Sequence, residues 1–239
     1  MRRFENIFVY AKMSFKAIIA KPTFNTFSGI LAHFFDWEKY LSKDNSGVKP
    51  IPWIAFNAIN YLEKIIRPDM LVFEFGSGGS TQFWSGHVSK VISIEHEAEW
   101  YHKMMLDFKS KNLGNVEYYL IPAEKDSDYY RKNTANPYHY ISDDKAFTGK
   151  NFESYVRKID QFPDEFFDLV VVDGRARPSC IAHAVNKIKK GGYLLVDNSE
   201  RNHYFPSLKQ FTSNWKRHDF MGPVPYSYGF SQTSILKKM

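Results

Sequence analysis

From Pro50 onward, short apolar segments alternate with longer segments in which apolar residues recur every three or four positions. The short segments are typical of buried strands, and the longer ones of helices that bury one face. This alternation predicts an α/β fold, a mostly parallel sheet with right-handed crossovers and helices on both faces. The pattern predicts strands at 71–75, 91–95, 116–121, 168–173 and 193–197, and helices at 53–66, 80–87, 97–110, 152–161 and 178–190.

Two further strands are predicted at 215–221 and 227–236, on either side of the sequence Gly222-Pro223-Val224-Pro225. Turn residues between apolar segments predict an antiparallel hairpin, which we expect at the edge of the sheet. The polar, tyrosine-rich segment 124–150 interrupts the alternation. Long loops of this kind often cover a functional site, so we expect a lid, with disorder as the alternative.

Residues 1–49 form a predicted N-terminal helical and aromatic extension to a domain that spans residues 50–239. Between residues 4 and 19, one helical stripe collects apolar side chains, and Lys12 and Lys16 lie off it. We expect packing on the domain or self-association, and the alternative is peripheral contact with an anionic membrane. The aromatic segment 24–40 has no clear period and is predicted to be irregular to helical.

The length of 239 residues allows one sizeable α/β domain with added elements. Cys180 is the only cysteine, so no intramolecular disulfide can form, and no apolar run is long enough to span a membrane. We therefore expect a cytoplasmic protein. The net charge of +6 is scattered along the chain. Without an RNA-binding motif or an arginine-rich tract, nucleic acid is not the expected partner.

The strand at 71–75 leads directly into a glycine-rich turn, Gly76-Ser77-Gly78-Gly79. Glycines let the backbone approach a ligand and present its N–H groups at the start of the next helix. Glu95 ends the next strand, about 20 residues further on, where a carboxylate accepts hydrogen bonds from ribose hydroxyls. The combination predicts a nucleotide-type pocket. Thr81 stands where the dinucleotide fingerprint requires its third glycine, which argues against a nicotinamide cofactor.

Glu74 lies inside the strand, two residues before Gly76. A buried carboxylate needs a cation or hydrogen-bond donors, and the charged methionine end of S-adenosylmethionine meets that need better than a pyrophosphate does. From this motif to the C-terminal hairpin, the chain resembles the class I S-adenosylmethionine-dependent methyltransferases, which implies one Rossmann-like domain with a seven-stranded sheet. The resemblance implies that the cofactor contacts Glu74, Gly76, Ser77, Gly78, Glu95, His96, Ala123, Glu124 and Asp173, with Ala123 and Glu124 beside the adenine.

Polar residues follow the fourth and fifth predicted strands, Asp173 after the fourth and Asp197-Asn198 after the fifth. These three residues look like the metal ligands of the catechol O-methyltransferase branch, where Mg²⁺ orients the oxygens of the substrate. Arg175 and Arg177 follow closely, and cations weaken a metal site unless they face the substrate. The alternative is that Asp173 orients substrate or water while Asp197 and Asn198 cap the turn.

Arg175 is a second candidate catalytic residue beside Asp173, because a guanidinium binds a carboxylate or phosphate of an acceptor through two parallel hydrogen bonds. A salt bridge that only shapes the loop is the alternative. Arg177, directly before Pro178, is the weaker candidate because this position is often exposed. The other acid–base candidates are His96, His139, His183, Glu200 and His203; His183 is expected to be structural or exposed. Trp53, Trp84 and Trp100 lie on predicted helices, where core packing is expected.

These observations predict an enzyme that transfers the methyl group of S-adenosylmethionine to a small, anionic acceptor, at an oxygen. Placing the acceptor in line with the methyl group supplies most of such catalysis, so no catalytic dyad is required. An RNA or protein methyltransferase is the first alternative. The second is a non-catalytic ligand-binding or scaffold protein with the same fold.

Overall fold

The computed structural model describes residues 2–41, 48–210 and 214–239. The helices are α1 (Arg2–Ala20), α2 (Phe24–Ala32), α3 (Phe34–Leu41), α4 (Phe56–Ile65), α5 (Gly79–Ser85), α6 (Ala98–Ser110), α7 (Glu153–Arg157), α8 (Arg177–Lys187) and α9 (Phe205–Gln210). The strands are β1 (Leu71–Phe75), β2 (Lys90–Glu95), β3 (Val116–Leu120), β4 (Glu124–Lys125), β5 (Lys150–Asn151), β6 (Phe167–Val172), β7 (Ile188–Val196), β8 (Trp215–Pro223) and β9 (Phe230–Lys238).

Seven strands form the main sheet in the order β3-β2-β1-β6-β7-β9-β8. Neighbours from β3 to β7 pair in parallel, whereas β9 runs antiparallel to both β7 and β8. The predicted α/β fold, its mostly parallel seven-stranded sheet and its C-terminal hairpin are therefore confirmed. The hairpin joins the sheet through its second strand, so that β8 becomes the edge.

Helices cover both faces of the sheet because alternate residues of each strand point to opposite sides. Val72 of β1 packs in one buried cluster with Leu62 of α4. Its neighbour Phe73 packs in a second cluster with Tyr155 of α7 and Ile181 of α8. The two clusters place hydrophobic cores above and below the strands that carry the glycine turn.

Several element boundaries differ from the prediction by a few residues, and two of the differences change the local structure. Helix α4 begins at Phe56 and leaves Trp53 outside it. Helix α8 ends at Lys187, and the next strand already begins at Ile188, which pairs with Phe167. An irregularity in register follows this pair, and Gly191 adopts a φ of 81° within the strand. Gly191 and Gly192, which lie between the predicted helix 178–190 and the predicted strand 193–197, are therefore inside a strand, where Gly191 allows an irregular backbone.

The aromatic segment after α1 forms two helices, α2 and α3, rather than irregular chain. The Thr23 hydroxyl caps α2 by accepting a hydrogen bond from the Thr26 N–H. Trp37 of α3 is fully buried, and its Nε1 donates to the Ser227 carbonyl at 2.8 Å, in the loop between β8 and β9. These helices are thus attached to the C-terminal hairpin.

The segment 124–150 has defined structure. Its two ends pair as the β4–β5 ladder, in which Glu124 lies opposite Asn151, and short 3₁₀ turns lie between them. The Tyr140 hydroxyl lies 3.3 Å from Nε2 of His183, which ties the segment to α8. We call residues 124–150 the insertion.

The parallel register brings several strand ends to one edge of the sheet. Phe75 of β1 lies beside Val172 of β6, and Val172 lies beside Val196 of β7. The residues that follow these strands are Gly76, Asp173 and Asp197. They therefore emerge side by side at the carboxyl edge, which is where open parallel sheets bind ligands.

Among the described helices, none combines the length and the hydropathy that crossing a bilayer requires.

Candidate active site

A cleft of about 1170 Å³ opens beyond the carboxyl edge of the sheet. Its wall contains the glycine turn, Glu95, and the residues that follow β6 and β7. The segment 48–53, part of the insertion and the loop between β8 and β9 complete the wall. Small-molecule sites typically have volumes of about 300–1,000 Å³, so this open cleft has room for a nucleoside ligand and a second molecule.

The glycine turn is built by close approach of backbones. Gly76 has a φ of 92°, and a Cβ placed on it would lie 2.9 Å from the Gly174 Cα after β6. Gly79 starts α5, and a Cβ there would collide with the carbonyl oxygen of Lys49. No larger residue fits either position without moving the backbone. The turn therefore stays open to the cleft on one side while it packs tightly on the other.

Glu95 lines the cleft and is surrounded by hydrogen-bond donors. Its Oε2 accepts from the Ser77 N–H at 3.2 Å and from the Ser77 hydroxyl at 2.9 Å. Its Oε1 accepts from the backbone N–H groups of His96 and Glu97 at 2.7 and 2.9 Å. Burial raises the pKa of Glu95, but His96 and these N–H groups outweigh it, and the net pKa is lowered. Glu95 is therefore an ionised acceptor at the cleft wall.

Glu74 does not line the cleft, so the structure does not place its carboxylate beside the other predicted contacts of the cofactor. The side chain is fully buried against α5, where its carboxylate accepts from the Thr81 and Ser93 hydroxyls and from Trp84 Nε1. Burial raises the pKa of Glu74 to about 7, although these donors oppose the shift. The Thr81 hydroxyl in turn accepts from the Gly78 N–H. Glu74 thus supports the glycine turn from behind.

Ala123 and Glu124 are also absent from the wall of the cleft. Glu124 is exposed in the β4–β5 ladder and accepts a hydrogen bond from the Ser154 hydroxyl, because the chain turns away from the sheet edge after β3. Aromatic side chains line the cleft, among them Trp100 and Phe147. Trp100 donates from Nε1 to the Ser77 carbonyl at 2.9 Å, and Phe147 belongs to the insertion. The sequence contained a signal for this position of Trp100, because Trp100 lies in the first turn of α6, shortly after the strand that ends at Glu95.

Trp53 and Trp100 were both expected in the core, yet both line the cleft. Trp53 is 55% exposed and its ring packs edge-on against Tyr226. Trp84 alone of the three occupies the core as expected.

Arg177 is buried, in contrast to its expected exposure, and its guanidinium fills the space between the ends of β6 and β7. It donates five hydrogen bonds. The acceptors are the carbonyl oxygens of Asp173, Gly174 and Asp197, the Asn198 side-chain oxygen at 3.2 Å and Asp173 Oδ1 at 2.9 Å. Every N–H group of the guanidinium is therefore paired.

The same guanidinium explains why the predicted magnesium ligands do not fit a metal. Asp173 and Asn198 direct side-chain oxygens at Arg177, and Asp197 Oδ1 accepts from the Thr233 hydroxyl at 2.7 Å. Within residues 2–41, 48–210 and 214–239, no three His, Cys, Asp or Glu side chains are arranged to hold a metal ion. The Arg177 guanidinium already pairs with the side-chain oxygens of Asp173 and Asn198. The residues present therefore do not fit Mg²⁺.

Burial perturbs the two acids that follow β6 and β7. Burial, then repulsion by Asp173, raises the pKa of Asp197 to about 8, although Arg177 and Thr233 oppose the shift. Burial likewise raises the pKa of Asp173, against the charges of Arg177, Arg175 and Arg201. The two carboxyl groups lie near one buried guanidinium, and Asp173 is the one whose side chain accepts a hydrogen bond from it.

Arg175 lies in a chain of polar side chains that crosses the cleft wall. Its Nε donates to His96 Nε2 at 3.2 Å, and its Nη1 lies 3.0 Å from Asp144 Oδ2 of the insertion. On the other side, His96 Nδ1 lies 2.7 Å from Glu95 Oε1. His96, a predicted cofactor contact after β2, is thus in direct contact with Arg175, the candidate catalytic residue after β6. Arg175 also forms a salt bridge with Asp144, which was not identified from the sequence.

A second acid of the insertion makes a similar contact. Asp143 Oδ2 accepts from Arg201 Nη1 at 3.2 Å and lies 3.5 Å from His203 Nε2. A small polar cavity of about 30 Å³ separates this group from Arg175 and Arg177. Consecutive acids of the insertion therefore pair with the arginines that follow β6 and β7.

The remaining acid–base candidates have local partners. His183 contacts Asp160 at 2.9 Å, as expected for a structural residue, and His139 bonds within the insertion. Glu200 lines the cleft but accepts from the Gln232 N–H. Burial lowers the pKa of His203, so it is neutral at pH 7. Asp173, Asp197 and Arg175 are the titratable or charged groups best placed for chemistry.

Comparison with protein-family models finds no match, and comparison with curated proteins finds no relative. Solved structures are similar in fold. A proposed methyltransferase from Streptococcus mutans in complex with SAH (S-adenosylhomocysteine) has a TM-score of 0.53 and 10% identity, and the match covers 79% of this chain and 99% of that one. An rRNA methylase from Streptococcus thermophilus has a TM-score of 0.53 and 12% identity, with 79% and 98% covered.

An O-methyltransferase from Bacillus cereus, in complex with SAH, has a TM-score of 0.50 and 14% identity, with 71% of this chain and 74% of that one covered. Identities this low concern the fold and leave the reaction open. The chain has the Rossmann-like fold of the class I S-adenosylmethionine-dependent methyltransferases.

Proposed function

We propose that this protein is an S-adenosylmethionine-dependent methyltransferase that methylates an oxygen of a small acceptor. One observation carries the proposal: the glycine turn and Glu95 line the same cleft, beyond adjacent parallel strands of a class I methyltransferase fold. The cleft is also large enough for a cofactor and an acceptor together.

The residues around the turn fit the proposed cofactor. The open backbone of Gly76, Ser77 and Gly78 would face its methionine portion, and the Glu95 carboxylate its ribose. Ribose hydroxyls would replace the Ser77 hydroxyl on Glu95, and that hydroxyl has a second partner, the Tyr118 oxygen at 2.5 Å. Trp100 takes the place of Ala123 and Glu124 as the proposed contact of the adenine. When bound, the cofactor supplies an electrophilic methyl group on a sulfonium.

The protein's own task is to place the acceptor oxygen in line with that methyl group, about 3 Å away. As the new oxygen–carbon bond forms and the carbon–sulfur bond breaks, a hydroxyl acceptor also loses its proton. Asp173, whose carboxylate pairs with Arg177 beside the cleft, can take it, whereas burial raises the pKa of Asp197 to about 8. Arg177 holds Asp173 in place and leaves part of its carboxylate free.

We further propose that the acceptor carries a carboxylate or phosphate that binds Arg175. The carboxylate of Asp144 now lies 3.0 Å from that guanidinium, and both side chains are about one-third exposed. An exposed pair of this kind contributes little to stability, so an anion of the acceptor can replace it at low cost. The segment that contributes Asp144 also contributes Phe147, so acceptor binding and movement of the insertion would be coupled.

Two alternatives make different predictions. An RNA or protein methyltransferase would use the net charge of +6 to attract a polymer, and its activity would fall steeply with salt. A scaffold protein would bind ligand without turnover. The blocking of the predicted metal ligands by Arg177 does not favour either alternative, because methyl transfer needs no metal.

Isothermal titration calorimetry with S-adenosylmethionine, SAH and NAD tests the cofactor. We expect saturable binding of the first two and none of the third; binding of NAD alone would overturn the proposal. Release of SAH in the presence of candidate acceptors then tests turnover. Carboxylated or phosphorylated phenols and alcohols should be methylated at an oxygen, whereas methylation of RNA alone would support the first alternative.

A further inference from the structure

Helix α1 has two opposite apolar faces. One face packs on the core through Tyr10 and Ala17, which are 7% and 4% exposed. The other face is uncovered: Phe4, Phe8, Phe15 and Ile19 are 81%, 72%, 66% and 67% exposed. At 100° per residue, these four side chains project within about 60° of one another, away from the packed face. We call them the α1 stripe.

The exposed apolar surface continues into the next two helices. Phe24 and Leu31 of α2 are 85% and 84% exposed, and Phe35 at the start of α3 is 69% exposed. Single exposed apolar residues are ordinary, but this many on three consecutive helices is not. A surface of this kind needs a partner that excludes water.

The charges beside the stripe indicate the nature of the partner. Lys12 and Lys16 are exposed, lie on one flank of the stripe, and have no ion pair among the described residues. By contrast, Lys21 at the end of the helix is bound to Asp219 at 2.6 Å. Unpaired lysines beside a phenylalanine-rich stripe match the composition of helices that lie in the interface of an anionic membrane.

We propose that the α1 stripe docks this protein on an anionic lipid surface, with Lys12 and Lys16 among the headgroups. A second copy of the chain fits less well, because pairing two stripes would bring Lys12 and Lys16 of both copies to one interface, where Glu5 of each copy neutralises only half of their charge. The packed face of α1 remains on the domain, so docking requires no unfolding. The proposal does not depend on methyl transfer.

Docking would hold the cleft close to the membrane. Tyr10, on the packed face of α1, contacts the ring of Phe230 at 5.1 Å, and Phe230 lines the cleft. Trp37 of α3 binds the Ser227 carbonyl, and Ser227 also lines it. The helices that carry the exposed surface therefore support one wall of the cleft directly.

Co-sedimentation of the full chain with vesicles tests the proposal, using phosphatidylcholine alone or an equimolar mixture with phosphatidylglycerol. We expect binding to the anionic vesicles, weaker binding to the neutral ones, and release in high salt. Phe8→Ser with Phe15→Ser should lower the partition coefficient by about tenfold or more, since each exposed ring loses its burial in the interface. Lys12→Gln with Lys16→Gln should lower it by about 5-fold per lysine.

Matched controls lie on other helices. Leu106 of α6 is 69% exposed, so Leu106→Ser removes a comparable apolar group, and Lys64→Gln with Lys109→Gln removes two exposed charges. These variants should bind as the unchanged protein does, and melting temperatures should be unaltered in all of them. Absent binding, equal binding to both vesicle types, or equal losses in the controls would overturn the proposal. So would a dimer in sedimentation velocity that Phe8→Ser with Phe15→Ser dissociates.

Discussion

Replacing Arg177 with Met should destabilise the fold more than replacing any exposed arginine. The substitution keeps the apolar volume but removes five hydrogen bonds and the charge that faces Asp173. Removing one partner of a buried ion pair costs about 3–5 kcal/mol. The Asp173 side chain is 27% exposed and recovers some solvation, so we expect the lower end, about 3 kcal/mol.

Urea unfolding followed by tryptophan fluorescence measures this loss, and a chain of this size should melt about 2–4 °C lower per kcal/mol. The control is Arg131→Met, because Arg131 is 87% exposed and its pair with Asp128 spans 3.6 Å; it should cost at most about 1 kcal/mol. Adding Asp173→Asn to Arg177→Met should recover part of the loss, because no unpaired carboxylate remains.

Mg²⁺ provides the second arm of the same experiment. If Arg177 occupies the place of a metal, Mg²⁺ should not raise the melting temperature of the unchanged protein, and chelator should not lower it. A cost below about 1 kcal/mol for Arg177→Met, or stabilisation of the unchanged protein by Mg²⁺, would refute the reasoning.

Three further outcomes are expected. Glu95→Ala should weaken SAH binding by about 1–3 kcal/mol in calorimetry, and unchanged affinity in a folded variant would remove Glu95 from the cofactor site. The pKa of Asp197 is about 8 in the folded state and about 4 in the unfolded chain, so the folded protein binds one more proton between these values and the free energy of unfolding falls as pH rises through this interval. Asp197→Asn should remove that component of the slope in urea titrations, and an unchanged slope would contradict the raised pKa. Asp144→Asn should cost at most about 1 kcal/mol and, by freeing Arg175, should lower the KM of an anionic acceptor; a higher KM would count against the proposed role of Arg175.

The strands were predictable because a buried parallel strand has a continuous run of apolar residues in the sequence. Residues 71–75 match β1 residue for residue, and the predicted strands of the hairpin overlap β8 and β9. The sequence did not predict α2 and α3 as two separate helices, because some of their aromatic residues are buried and others are exposed. Trp37 is buried while Phe24 and Phe35 are exposed, so the hydrophobic pattern has no single period.

The site was predictable only as far as strand order determines it. Glu95, Gly76 and Asp173 follow adjacent strands and meet at the cleft. The partners of these residues depend on where loops return, which periodicity does not encode. Asp144 reaches Arg175 from a long insertion. Glu74 was recognised as a buried acid, but its donors are side chains of the protein, such as Trp84 Nε1. Each difference concerns the course of a loop or the direction of a side chain.

The position of Arg177 also limits the acceptors that this cleft can use. A divalent metal activates a hydroxyl by binding its oxygen directly, but a guanidinium with every N–H paired offers no free donor to an acceptor oxygen. In the proposed reaction we assign activation to Asp173, because burial raises the pKa of Asp197 to about 8 and makes it the weaker candidate at pH 7. A carboxylate is a weak base for an aliphatic hydroxyl, whereas it suffices to orient a more acidic oxygen. The geometry therefore favours acceptors whose oxygen ionises readily, such as phenols and carboxylates, over simple alcohols.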